Sequence, residues 1–265
     1  MANTGALSGK NAIVTGSTSG IGLAIAHVLA SKGCNIMVNG MGDKATIDGI
    51  IAELPKKYGV KTIYDGADMS KPEEIRKMVA DCEKNLGGVD ILVNNAGIQF
   101  TATTEEFPEA KWDAIIAINL SASFHSIKAA LPGMRKRDFG RIINIASVHG
   151  LVASEHKIAY VAAKHGIVGL TKVVALEAAE ANITCNAICP GWVHTPLVQK
   201  QIEDKAREGN ISVEKATANL LGEKQPNKRF VKPENIGAMI AFLCGDDGAA
   251  MTGEILTIDG GWTAQ

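Results

Sequence analysis

Short apolar runs alternate along this chain with longer stretches in which hydrophobic residues recur every three or four positions. The runs Asn11–Thr15, Asn35–Asn39, Ile91–Val93, Ile142–Ala146 and Ile183–Cys189 have the length and apolar character of strands covered on both faces. Thr62–Tyr64 and Ile255–Ile258 read as weaker members of the same series. Helical periodicity fills the gaps: Leu23, Ile25, Ala26 and Leu29 after the first run, a stretch from about Asp43 to Lys57, another after Pro72, a long one from Trp112 through Met134, and a last from Pro233 to Cys244. Pro72 suits a first helical position, where no backbone N–H is needed. Successive strand–helix units predict an α/β fold, a doubly wound parallel sheet of the Rossmann type with about seven strands and helices on both faces.

One segment breaks this alternation. From Thr195 to Val231 the chain carries Lys200, Glu203, Asp204, Lys205, Arg207 and Glu208 on amphipathic helical stretches, interrupted at Gly209–Asn210 and Gln225–Asn227. Such an excursion reads either as a helical lid over a site, at about 195–231, or as surface decoration. No linker, repeat or charge block divides the rest, so residues 1–265 are expected to form a single domain.

Composition narrows the function. A hydrophobic share of 46% supports a large core, and a formal net charge of -1 provides no basic footprint for nucleic acid. Met1–Lys10 lacks a basic flank followed by an apolar run, and no later segment approaches 18 uninterrupted apolar residues. A soluble, cytoplasmic protein without a membrane partner is the expectation. Cys34, Cys82, Cys185, Cys189 and Cys244 form no CxxC pair and have no accompanying histidine ligands, so buried reduced thiols are expected and neither metal nor disulfide is.

Candidate chemistry gathers where strands end. The first run passes into Gly16-Ser17-Thr18-Ser19-Gly20-Ile21-Gly22 and then a helix, a strand–loop–helix unit whose free N–H groups and dipole suit a dinucleotide pyrophosphate. The second run ends at Asn39, where an acidic residue would ordinarily hold the ribose of NAD; an amide can still hydrogen-bond a ribose. No Arg or Lys stands at Ser17–Ser19 or Asn39–Gly42 to neutralise a ribose phosphate, with Lys44 the nearest in sequence, which favours NAD over NADP. Asp68, beside Met69, can meet an adenine amino group or cap the following turn. Downstream, Ser147 and His149 follow a buried strand, and Lys157, Tyr160 and Lys164 stand at i, i+3 and i+7, one face of a helix. A phenol between two ammonium groups is expected to have a lowered pKa and to serve as an acid or base.

Taken together, Thr15-Gly16-x3-Gly20-Ile21-Gly22, Asn94-Asn95-Ala96-Gly97, Ser147, Tyr160-x3-Lys164 and Pro190-Gly191 resemble the short-chain dehydrogenase/reductases over essentially the whole chain. That resemblance implies that Tyr160 takes the alcohol proton as hydride leaves for the nicotinamide, that Ser147 hydrogen-bonds the substrate oxygen, and that Lys164 lowers the tyrosine pKa and binds the nicotinamide ribose. Asn119 would hold a water in the proton relay, although an asparagine in an apolar helix also serves as a partner for nearby backbone. It further implies that Asn95, Ala96 and Gly97 back the adenosine, that Pro190, Gly191, Val193 and Thr195 shape the nicotinamide pocket, and that the assembly is a homotetramer. Gln99, His149, Lys157, Trp192, Gln201 and Trp262 are left to select the substrate, and their chemistry suits a small carboxylate bounded by an apolar wall. Trp262 would alternatively lie in a subunit interface. Two rivals stand: an NADPH-dependent reductase of long carrier-bound thioesters, for which Lys157 would be an unpartnered cation, and a catalytically silent dinucleotide-binding protein, which would not need Tyr160 or Lys164.

Overall fold

A computed structural model of the chain describes residues 5–264. Met1–Thr4, part of the segment read above for a leader, lie outside the described residues.

The seven strands are β1 (Asn11–Val14), β2 (Asn35–Asn39), β3 (Thr62–Asp65), β4 (Ile91–Asn94), β5 (Gly140–Ile145), β6 (Ile183–Pro190) and β7 (Ile255–Ile258). They form one sheet in the order β3-β2-β1-β4-β5-β6-β7, every neighbouring pair parallel. Alternate residues point to opposite faces. Val14, Val38, Val93 and Ile143 enter one core with α1 (Gly20–Ser31), α2 (Lys44–Tyr58) and α9 (Pro233–Cys244). Ile13, Met37, Leu92 and Ile142 enter the other with α3 (Pro72–Leu86), α5 (Ala122–Arg137) and α6 (Ile158–Ala178). Strand order reverses between β1 and β4, which opens a crevice above their carboxyl ends.

The long helical region is not uniform. Helix α4 (Glu109–Ile116) passes through a π turn, Ala117–Ser121, into α5. This wider turn has Asn119 buried within it, the kind of local defect that recurs at functional sites. Glu109–Arg137 and Ile158–Ala178 are long and apolar enough to cross a membrane, which a count of uninterrupted apolar residues overlooked. Both lie against the sheet and carry Asn119, Tyr160 and Lys164 towards the crevice.

The excursion after β6 is two helices, α7 (Pro196–Glu208) and α8 (Val213–Lys224). Their Ile202, Ala206, Ala216 and Leu220 form a small core of their own, with Trp192, Val198 and Phe230 against it. All five cysteines are buried and free.

Candidate active site

A cleft of about 530 Å³ lies along the carboxyl ends of the strands. Every residue singled out above as a site candidate lines it except Asn119, which stands immediately behind with its side chain on Ile98.

At the first crossover the loop closes on itself before it can hold a ligand. Thr15 Oγ1 accepts from the N–H groups of Asn95 (2.9 Å) and Ala96 (3.0 Å), while Asn95 Nδ2 donates to the carbonyls of Thr15 and Gly16. Gly16 holds φ at +63°, the left-handed region. A Cβ on Gly22 would lie 2.2 Å from the Gly16 carbonyl oxygen, so no side chain fits there. Ser19 stands at the N-cap of α1 without a side-chain cap bond, which leaves the first-turn N–H groups of a 12-residue helix free for an anion.

Asn39 departs from expectation. Its side chain is fully buried, with Oδ1 accepting from the Gly16 N–H (3.3 Å) and Nδ2 donating to the carbonyls of Asp65 and Ala67 (both 3.1 Å). The amide ties β2 to β3 and braces the glycine loop, so both its N–H groups are spent and only the second lone pair of Oδ1 is left for a ribose hydroxyl. Lys44, the nearest cation in sequence, pairs with Asp48 at 2.5 Å on an exposed face. Asp68 lines the cleft, but its Oδ1 accepts from the N–H and hydroxyl of Ser70, which hold the carboxyl below its usual range. Of its two expected uses, turn capping is the one the geometry displays. Thr195 likewise caps α7 through Val198 N–H while facing the cleft.

The tyrosine's surroundings also differ from the simple helical-face picture. Lys157 is the N-cap of α6, with φ −124° and ψ 32°, and its ammonium is 5.3 Å from the centre of the Trp192 ring. Only Lys164 stays with Tyr160, 5.5 Å from the ring centre, and its ammonium donates to the Ile145 carbonyl at 2.6 Å. Burial raises the Tyr160 phenol above its usual value, opposed by a hydrogen bond from Ser147. The expected lowering is not seen in the protein alone, where desolvation outweighs the Ser147 hydrogen bond. Burial also lowers Lys164 to about 8, so it remains mostly charged at neutral pH.

His149 is 5% exposed and pushed down to about 4, first by burial and then by Lys157, so it is neutral. One ring nitrogen faces Ser147 Oγ (3.3 Å) and the other Ser154 Oγ (2.9 Å), while the ring stands edge-on to Tyr160 and Trp262. Trp262 lies in the cleft, buried against His149 and Trp192. The Lys157 ammonium makes no ion pair or hydrogen bond among the described residues; burial lowers its pKa, followed by the charge of Lys205, and the charge of Glu223 opposes them. Gln99 and Gln201 line the same end of the cleft.

Beneath the site runs a polar chain missing from the sequence reading. Ser126 Oγ donates to Asn94 Oδ1 (2.7 Å), Asn94 Nδ2 to Asn144 Oδ1 (2.8 Å), and Asn144 Nδ2 to Thr171 Oγ1 (2.9 Å). Two asparagines in otherwise apolar buried strands, in paired register, were its available signal.

A family profile described as enoyl-(acyl carrier protein) reductase matches residues 16–263. The chain belongs to the short-chain dehydrogenase/reductase family. Among characterised family members, D-beta-hydroxybutyrate dehydrogenase of Cupriavidus necator is 56% identical over 98% of this chain and all of the relative. The protein of the same name from Rhizobium meliloti is 53% identical over 97% of this chain and 99% of its own. Of solved family structures, L-sorbose reductase from Gluconobacter frateurii complexed with NADPH and L-sorbose superimposes with a TM-score of 0.94 at 30% identity, covering 99% of both chains.

Proposed function

We propose that this protein is an NAD-dependent dehydrogenase that reversibly oxidises (R)-3-hydroxybutyrate to acetoacetate. The observation that carries the substrate is Lys157: a half-buried ammonium in the cleft, over an aromatic ring, with no carboxylate within ion-pair distance among the described residues and only the charge of Glu223, beyond that distance, to offset its burial. A cation so placed is costly unless an anion meets it, and a small carboxylate supplies one. Gln99 and Gln201 add hydrogen bonds without competing charge, beside a neutral His149 whose ring nitrogens face Ser147 and Ser154. A long uncharged thioester would leave Lys157 unpaired. The near-full-length likeness to two D-beta-hydroxybutyrate dehydrogenases supports the same reading.

The cradle fits NAD. Gly16, Thr18, Ser19, Gly20, Ile21 and Gly22 would hold the pyrophosphate, with Asp68, Met69, Asn95, Ala96 and Gly97 around the adenosine, and Pro190, Gly191, Val193 and Thr195 at the nicotinamide. No cation lies among the residues at the end of β2 to favour a ribose phosphate. NAD, when bound, supplies the carbon that accepts the hydride.

With the carboxylate on Lys157, the substrate C3 oxygen is addressed by Ser147 and Tyr160. Ser147 donates a hydrogen bond to that oxygen and Tyr160 takes its proton as the C3–H bond breaks. Lys164 stabilises the phenolate and binds the nicotinamide ribose. Asn119, in the π turn, would hold a water in the proton relay, with its side chain joined to the main chain of Ile98 through its oxygen and one N–H. Trp192 and Trp262 bound the methyl group.

The same proposal takes residues 1–265 as one domain, 195–231 as its substrate lid, and the assembly as a cytoplasmic homotetramer. Exposed Phe124 on α5 and Val173 and Leu176 on α6 supply apolar surface for such contacts. The test is NAD reduction by each enantiomer of 3-hydroxybutyrate, with NADP and an acetoacetyl thioester as comparisons. Turnover of the D form with NAD is expected; good NADPH-dependent thioester reduction without it would overturn the substrate assignment.

A further inference from the structure

Trp192 and Trp262 close the apolar end of the cleft, ring centres 6.0 Å apart and planes inclined at 37°. Both lie outside regular strands, one in the turn after β6 and the other beyond β7. Their positions must therefore be set by something other than the sheet ladder.

Gln225 does this for Trp192. It follows α8, lies outside the cleft, and is 1% exposed. Its Oε1 accepts the main-chain N–H of Trp192 at 2.9 Å, and its Nε2 donates to the Arg229 carbonyl. The approach is close: a Cβ on Gly191 would stand 2.7 Å from that same Oε1. The returning arm of the excursion is stitched to the outgoing one as Val231 N–H donates to the Trp192 carbonyl (2.9 Å). It is stitched to the C-terminal turn as Asn227 N–H donates to the Gly260 carbonyl (3.1 Å). Asp259 then accepts from the N–H groups of Gly261 and Thr263, fixing the turn that presents Trp262.

We infer that Gln225 is a positioning residue for substrate chain length, holding the Trp192 main chain so that its ring forms a wall admitting a methyl group and excluding a longer one. This rests on the hydroxybutyrate reading above. Without the amide, the Trp192 N–H is left buried and unpaired, and the turn must shift to satisfy it. The wall moves with the turn. Because 3-hydroxybutyrate and 3-hydroxypentanoate share the carboxylate and the reacting carbon, their ratio of kcat/KM isolates the wall from Lys157 and Tyr160.

The experiment measures that ratio for wild type, Gln225→Met, Trp192→Ala and the double variant, alongside NAD affinity and Tm. Discrimination by one methylene is a matter of roughly 10- to 200-fold, and Gln225→Met is expected to lower the ratio about tenfold with NAD affinity unchanged. In the Trp192→Ala background the same substitution should leave the ratio unaltered, since the wall is already gone. If Gln225→Met does not fold, Gln225→Asn, with the amide withdrawn by one methylene, gives the same comparison. An unchanged ratio in the folded variant, or an equal drop without Trp192, overturns the inference. Wild type inactive on 3-hydroxybutyrate overturns instead the reading beneath it.

Discussion

The two ends of the cleft are built from different materials. Towards β1 and β2 the wall is main chain and small residues, and its polar side chains are spent inward: Asn39 on Gly16, Asp65 and Ala67, Asn95 on Thr15 and Gly16. Towards β5, β6 and the excursion it is made of long side chains, one of which, Lys157, has neither ion pair nor hydrogen bond among the described residues. The first end offers backbone N–H groups and tolerates no added atom at Gly22. The second keeps bonding capacity in reserve, at the cost of an unpaired ammonium, for a ligand that completes it. A shared cofactor and a particular substrate ask for these two solutions.

Substitutions should respect that division. The largest effect belongs to the shared chemistry: Tyr160→Phe removes the proposed proton acceptor and should depress kcat by about 10³-fold, with KM for substrate little changed, in steady-state assays. Next is the cofactor end. Gly22→Ala sets a methyl against the Gly16 carbonyl at 2.2 Å and should weaken NAD binding by about tenfold or more in titration calorimetry, with a lower Tm. Unchanged NAD affinity would mean that the loop yields and that its shape is not what selects.

A third effect, read in stability rather than in turnover or binding, concerns His149, which folding moves from about 6.5 to about 4. Between those values the unfolded chain binds a proton that the folded one refuses, so stability is full above pH 6.5 and is lost as pH falls towards 4. The loss is at most about 3 kcal/mol. Tm followed against pH should show His149→Gln with a shallower decline over that window than wild type.

The fold was legible because buried parallel strands read as unbroken apolar runs, and their alternate residues do enter opposite cores. That the candidates share one cleft was legible too, since strand ends place Gly16, Ser147 and Gly191 at one edge whatever else varies. Orientation was not. Residue type at Asn39 says that an amide is present but not that three backbone groups engage it. Spacing put Lys157 on the face of Tyr160, whereas α6 begins one residue later and releases it towards Trp192. The direction of the Tyr160 shift depends on how burial compares with the hydrogen bond from Ser147, a balance that needs coordinates. The π turn around Asn119 and the hold of Gln225 on Trp192, 33 residues away, have no local signature.

The contrast between a satisfied cofactor end and an unsatisfied substrate end rests on Lys157, and acetoacetate compared with its methyl ester tests it most directly. The two differ in the charge that Lys157 would meet. In NADH-dependent reduction, wild type should favour the acid by about 10- to 100-fold in kcat/KM, the worth of a charge-assisted hydrogen bond, and Lys157→Ala should erase most of that preference with NADH affinity retained. A preference of equal size in both proteins would contradict the account and place the carboxylate elsewhere.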